Sequence, residues 1–234
     1  MPEYSPILSI ITAAFEIIAA LLAWRARGRR RILRPVVATL LLLAGYQLIE
    51  VFVCNAPDNT FWARLAFADV VWLPPLGCLL VLRVAGSVRP VWRHLVAWMF
   101  AGAAFWSVWV FFDPSFVTGT VCKAVIAMYV HPTHALEFYG AFYHLGLWAM
   151  IVGGLRVMLR APNEVDRHHA GDIVLGTVAF IILALMTEVV FPGARNATPS
   201  IMCHYALALA LTLARLAHRE HRACASPLRD PSPG

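Results

Sequence analysis

The chain has 234 residues, of which 60% are hydrophobic and only 14% charged, with a mean hydropathy of +0.70. A soluble domain carries about a quarter charged residues, so this composition excludes an ordinary soluble protein and reads as an integral membrane protein. The formal charge of +6 does not argue for nucleic acid, because the arginines sit in short links between apolar runs.

Seven apolar segments of spanning length follow one another, at 6–24, 34–54, 61–83, 91–112, 136–159, 171–191 and 199–217. Each approaches or exceeds the ~20 residues that cross the hydrocarbon core as a helix. The expected fold class is all-α, a seven-transmembrane-helix bundle formed by residues 1–222, with a disordered tail over 223–234. The first run carries Glu16 and is followed by its positive cluster, which is not the pattern of a cleavable signal peptide.

Of the 19 basic residues, all but Arg64, Lys123 and Arg195 fall in the links after spans 1, 3 and 5 or in the C-terminal region. The positive-inside rule therefore places the N-terminus outside and the C-terminus in the cytoplasm, and the expected location is the cell membrane, as a multi-pass protein of a bacterial inner membrane. The Arg25–Arg34 run reads as a headgroup anchor. Trp24, Trp62, Trp92 and Trp109 lie near span ends and fit an aromatic belt, whereas Trp72, Trp98, Trp106 and Trp148 lie deeper and are expected mostly to pack.

On span 2, Gln47, Glu50 and Cys54 recur at helical spacing and form one polar stripe. A carboxylate inside a span costs a few kcal/mol (~2.5–3.5 on insertion scales) and turns toward a bundle interior or a wet cavity. Span 3 carries Trp72-Leu73-Pro74-Pro75 near its middle, where two missing backbone donors predict a kink. The link 113–135 is the longest, and its β-prone stretch 121–130 predicts a hairpin lid over the outer end. His131-Pro132-Thr133-His134 after it offers two histidines three apart, a pattern shared by solvated turns and metal sites. No internal repeat supports an inverted-repeat transporter.

Further polar groups recur at outer and central depths. Glu50, Glu188 and His204 lie about 6 Å below the outer surface, Asp69 and His144 about 12 Å, and Glu16 about 15 Å. The polarity reads as concentrated in the outer half. An outward-opening pocket lined by Glu50, Asp69, His144, Glu188 and His204 follows, with Gln47, Trp72 and Tyr143 as further ligand contacts. Such a set has three uses. Glu50, His144 and His204 could ligate a divalent ion such as zinc. Glu50, with Asp69, could act as acid or base on an apolar or lipid-like substrate. The whole set could instead pair internally and fix helix packing. The first expectation is a sensor or ligand-binding protein, with a metal-dependent hydrolase or acid-initiated isomerase or cyclase as the enzymatic alternative. Cys54, Cys122 and Cys203 lie on the outer side, where Cys122 could join either of the other two in a disulfide.

With Tyr46-Gln47-Leu48-Ile49-Glu50 on span 2, Trp72-Leu73-Pro74-Pro75-Leu76 on span 3 and Pro199-Ser200-Ile201-Met202-Cys203 opening span 7, the chain resembles a group of uncharacterised bacterial seven-span membrane proteins. Those carry Gln-x-x-Glu on the second span, a Trp-Pro motif on the third and Pro-Ser-x-x-Cys before the last. Many of them begin Met-Cys-Phe-Ser, which this chain does not. The resemblance implies a fold and no activity. Other seven-span families depart further. Span 7 has no lysine for retinal, which separates the chain from microbial rhodopsins. The alkaline ceramidase superfamily has a His-x-x-x-His on the last span, and only His204 is present here. Integral-membrane terpene cyclases share a span-2 glutamate comparable with Glu50, but their later acidic partner has no counterpart after Glu188.

Overall fold

The computed structural model describes residues 4–86, 90–130, 134–191 and 197–225, the side chains of Glu188 and Ala225 excepted. Eight helices and one hairpin lie within them: α1 (Ile7–Arg25), α2 (Arg30–Asn55), α3 (Thr60–Val70), α4 (Leu73–Ala85), α5 (Pro90–Phe112), β1 (Gly119–Lys123), β2 (Ile126–Val130), α6 (Ala135–Arg160), α7 (Glu164–Val190) and α8 (Thr198–Ala225). Counting α3 and α4 as one broken span, seven helical units are long and apolar enough to cross a membrane. The seven-helix expectation therefore holds, as does membrane-spanning composition.

The break between α3 and α4 falls at the expected place. Val71 and Trp72 form the turn, and Pro74 and Pro75 stand in the first turn of α4, where their missing N–H groups leave no ladder bond unmade. Three spans run longer than expected. Asn163 caps α7 by accepting the Val165 N–H, so the helix starts seven residues before the apolar run. Pro35 sits near the start of α2 and does not stop it from beginning at Arg30. α8 continues through Ala225, so the first three residues of the expected tail are helical, and 226–234 lie outside the described residues.

The helices close a ring in the order α1, α2, α4, α6, α7, α8 and back to α1, with α5 packed outside against α3, α4 and α6. α2 also touches α8 across the ring, and α4 touches α7. α5 is the least buried span, and its Trp98, Phe105 and Trp109 face outward. Trp98 on α5 and Trp148 on α6 are therefore not packed in the interior as their depth suggested. Apolar side chains gain nothing by avoiding hydrocarbon, so burial depth in the membrane does not force them inward.

The hairpin forms as expected. β1 and β2 pair antiparallel from Gly119 with Val130 to Lys123 with Ile126. It is tied down at four points. Cys122 is joined to Cys54 at the end of α2 by a disulfide. The Thr120 hydroxyl donates to the Pro57 carbonyl at 2.7 Å, the Ser5 N–H to the Ala124 carbonyl at 2.8 Å, and the Ala127 N–H to Ser200 Oγ at 3.2 Å. From β2, Tyr129 drops into an aromatic cluster with Phe67, Phe116 and Tyr139, with ring centres 5.0–5.6 Å apart at steep angles. A two-stranded hairpin alone is marginal in water, and this docking is what holds it. Cys203 is left as a buried free thiol, which settles the alternative between its two candidate partners.

Candidate functional site

The polar groups beneath the hairpin do not meet at one point. They divide around α2. Gly45 on α2 faces Asp69, whose Oδ1 lies 3.2 Å from where a side-chain carbon on Gly45 would stand. Glu50 is five residues further along, about 140° round the helix, so it leaves α2 on a different face. Asp69 and Glu50 thus serve separate surroundings.

Glu50 is fully buried, and neither of its carboxylate oxygens has a hydrogen-bond partner among the described residues. Its Oε1 lies 3.8 Å from His204 Nε2. His204 Nδ1 donates to the Ser200 carbonyl one turn back at 2.8 Å, so the ring is held and Nε2 is turned to the carboxylate. The hydroxyls of Tyr4, Ser9 and Ser200 face the same carboxylate. Tyr4 and Ser9 bond to each other at 3.1 Å, and Ser200 Oγ accepts from the hairpin. Ser200 keeps its proton free to rotate toward Glu50, and so does whichever of Tyr4 and Ser9 accepts from the other. Helices α1, α2 and α8 and the lid thus converge on one carboxylate.

A groove of about 680 Å³ opens beside this pair, between α1, the hairpin, α7 and α8. Its wall is apolar at Leu8, Ile126 and Ile201, and His204 lines it as well. Lys123 lines it, as do Thr187 and Tyr205, whose hydroxyls are 2.8 Å apart. No acidic residue is among the groove's described lining residues. A second groove, of about 490 Å³, lies between α3, β2, α6 and the start of α8, and there Tyr143, His144 and Glu137 come together with Cys203.

The structure therefore sorts the candidate residues. Glu50 and His204 are brought together. His144 is not: it is exposed, its Nδ1 donates to the Gly140 carbonyl at 2.7 Å, and it lines the second groove. Among the described residues, no group of three or more His, Cys, Asp or Glu side chains is placed to hold a metal ion. Gln47 lines neither groove; it is fully buried and donates to the Cys203 carbonyl at 3.0 Å, a bond between α2 and α8. Trp72 also lines neither, and packs against Phe100 on α5. Tyr143 lines the second groove. The side chain of Glu188, residues His131, Pro132 and Thr133, and Arg195 lie outside the described residues. His134 is exposed and 3.1 Å from Glu137. Arg64 donates to the Pro114 carbonyl at 2.9 Å and makes no ion pair within 4 Å among the described residues.

Two features fell outside the candidate pocket. Glu16 is fully buried with neither oxygen hydrogen-bonded among the described residues, on the α1 face that carries Ser9 and Thr12. Its spacing of four from Thr12 and seven from Ser9 was the available signal. At the opposite, arginine-rich end the interior is not free of acids. Arg29 is 2.9 Å from Glu220 through Nε, 2.9 Å through a second nitrogen, and 2.7 Å from Asp166, and its backbone N–H also donates to Glu220 at 2.7 Å. Hydrogen bonding to Glu220 outweighs burial and holds the Arg29 guanidinium even more firmly protonated than usual. His169 lies 3.7 Å from Glu220, and Asp172 pairs with Arg219 at 3.1 Å. This knot ties the α1–α2 link to α7 and α8.

No protein-family model matches the chain, and no curated protein matches it significantly.

Proposed function

We propose that the chain is a multi-pass protein of the bacterial inner membrane that binds a small single-chain amphiphile with an acidic head under its outer hairpin. The arginine-rich end lies in the cytoplasm and the hairpin end outside, as charge distribution favours. The Cys54–Cys122 disulfide at the hairpin end accords with an oxidising exterior. The likeness of its span 2, span 3 and span 7 motifs to the seven-span bacterial group belongs to the same reading.

The observation that carries the proposal is the 680 Å³ groove with Lys123 as its cation and with His204, which stands 3.8 Å from the buried Glu50, in its wall. Its volume lies within the roughly 300–1,000 Å³ of small-molecule sites, which are apolar with a few placed polar groups. Lys123 meets the acidic head, Thr187 and Tyr205 offer hydroxyls, and the apolar body lies along Leu8 and Ile201. Glu50 is a positioning residue, turning the His204 ring. Dodecanoate and dodecanol, compared by thermal shift in neutral detergent, test this. The acid should stabilise the protein more than the alcohol, and Lys123→Ala should erase the difference. Equal effects of acid and alcohol on the parent would refute it.

A second reading rests on the same pair. An imidazole nitrogen 3.8 Å from a buried carboxylate can share a proton with it after a small closure, which is the arrangement of an acid–base catalyst. Under that reading Glu50→Gln abolishes turnover of a bound amphiphile while the protein stays folded.

A further inference from the structure

At the arginine-rich end a separate groove of about 390 Å³ runs along the outside of the bundle between α1 and α8. Ala23, Ala214 and Ala217 form its floor, so the two helices leave room for a chain of methylenes. Arg25, His218 and His221 close one end. Arg25 and His218 are exposed, and neither has an ion-pair partner among the described residues. The acids close by are committed elsewhere: Glu220 to Arg29, and Asp172 to Arg215 and Arg219. His221 Nδ1 accepts the Arg27 N–H at 3.0 Å, which leaves its Nε2–H to donate outward. Trp24, largely exposed beside Arg25, sits where an interfacial indole belongs.

We infer that this groove binds one acyl chain of an anionic phospholipid, with the phosphate between Arg25 and the two imidazoles. Charge selects the lipid. A zwitterionic headgroup brings its own cation to a rim that already holds an unpaired arginine, whereas an anionic headgroup leaves the phosphate to that arginine alone. The chemistry is distinct from that of the hairpin groove and does not depend on it.

Native mass spectrometry of the full chain in neutral detergent tests the proposal with dioleoyl phosphatidylglycerol and dioleoyl phosphatidylcholine, which share their acyl chains. The phosphatidylglycerol should be retained in preference. Arg25→Ala should weaken its retention by about fivefold, the worth of one basic residue near an anionic surface. Combining it with His218→Ala should remove the preference, while Arg34→Ala, an exposed arginine on α2 away from the groove, should leave it intact. Both groove positions are exposed, so the variants should fold, and their helicity by circular dichroism checks this. Equal retention of the two lipids by the parent overturns the inference. So does a loss in Arg34→Ala as large as in Arg25→Ala, which would leave only a diffuse charge effect. A lipid-free dimer abolished by Ala214→Phe would assign the groove to a second copy and overturn it as well.

Discussion

Replacing Glu50 by Gln separates a residue kept for function from one kept for packing. The carboxylate is fully buried, its oxygens have no hydrogen-bond partner among the described residues, and the nearest imidazole nitrogen stands 3.8 Å away. A buried polar group left without a partner costs roughly 1–3 kcal/mol, and more when charged. Glutamine keeps the shape and cannot ionise, and its amide N–H groups can donate to the Tyr4, Ser9 or Ser200 oxygens that face it. The substitution should therefore stabilise the bundle, by about 1–2 kcal/mol once partial repacking is allowed. For a chain of this length each kcal/mol moves the midpoint by about 2–4 °C, so Tm should rise by about 2–8 °C. The assay is thermal unfolding in neutral detergent by circular dichroism, with Glu50→Ala beside it as a cavity-forming control that should lower Tm. The dodecanoate-induced shift should shrink in Glu50→Gln, because the His204 ring loses the carboxyl group that turns it. A Glu50→Gln protein that melts several degrees lower would refute the reasoning and make the carboxylate a structural brace.

Other perturbations follow from the same geometry. Glu220→Gln should act in the opposite direction, lowering Tm by about 4–10 °C: a broken buried pair costs ~3–5 kcal/mol, discounted here because Arg29 is 27% exposed and keeps Asp166. An unchanged melt would count against the knot at the arginine-rich end. Reducing the Cys54–Cys122 disulfide, which closes a separation of 68 residues, should remove up to about 4 kcal/mol on chain-entropy grounds. The hairpin should then become the first site of limited proteolysis, and cleavage elsewhere first would contradict its role as the tether. Burial, offset by the Ser9 hydrogen bond, pushes the Tyr4 phenol up to about 12 from its ordinary value of 10.0. Since the fold holds this proton more tightly than the unfolded chain, its contribution is intact below pH 10 and falls away as pH rises toward about 12. Tyr4→Phe should remove that part of the alkaline loss, measured by unfolding at pH 9 and pH 11.5. Dialysis against a chelator should leave the melt unchanged, and a large drop restored by zinc would reinstate a metal centre.

The sequence by itself determined the spans, the break at Trp72 and the hairpin, because each depends on local chemistry: apolar length, proline's missing donor and β-branched alternation. It also marked Glu50 and His204, since a polar group in hydrocarbon must find an interior. Only the tertiary structure decided which of those groups meet. Asp69 and His144 satisfy the same depth argument as Glu50 and His204, yet Asp69 faces Gly45 and His144 the second groove. Depth follows from residue number, but azimuth depends on how each helix is rotated in the ring, and in lipid a helix has little apolar moment to fix that rotation. The same reason hid the Arg29–Glu220 knot, whose partners are 191 residues apart and come together only because α1 closes the ring against α8. Cys122 took Cys54 over Cys203 because β1 lies over the end of α2, while β2 carries Ala127 to Ser200 at the start of α8. That choice belongs to the seat of the hairpin, which no spacing of cysteines encodes.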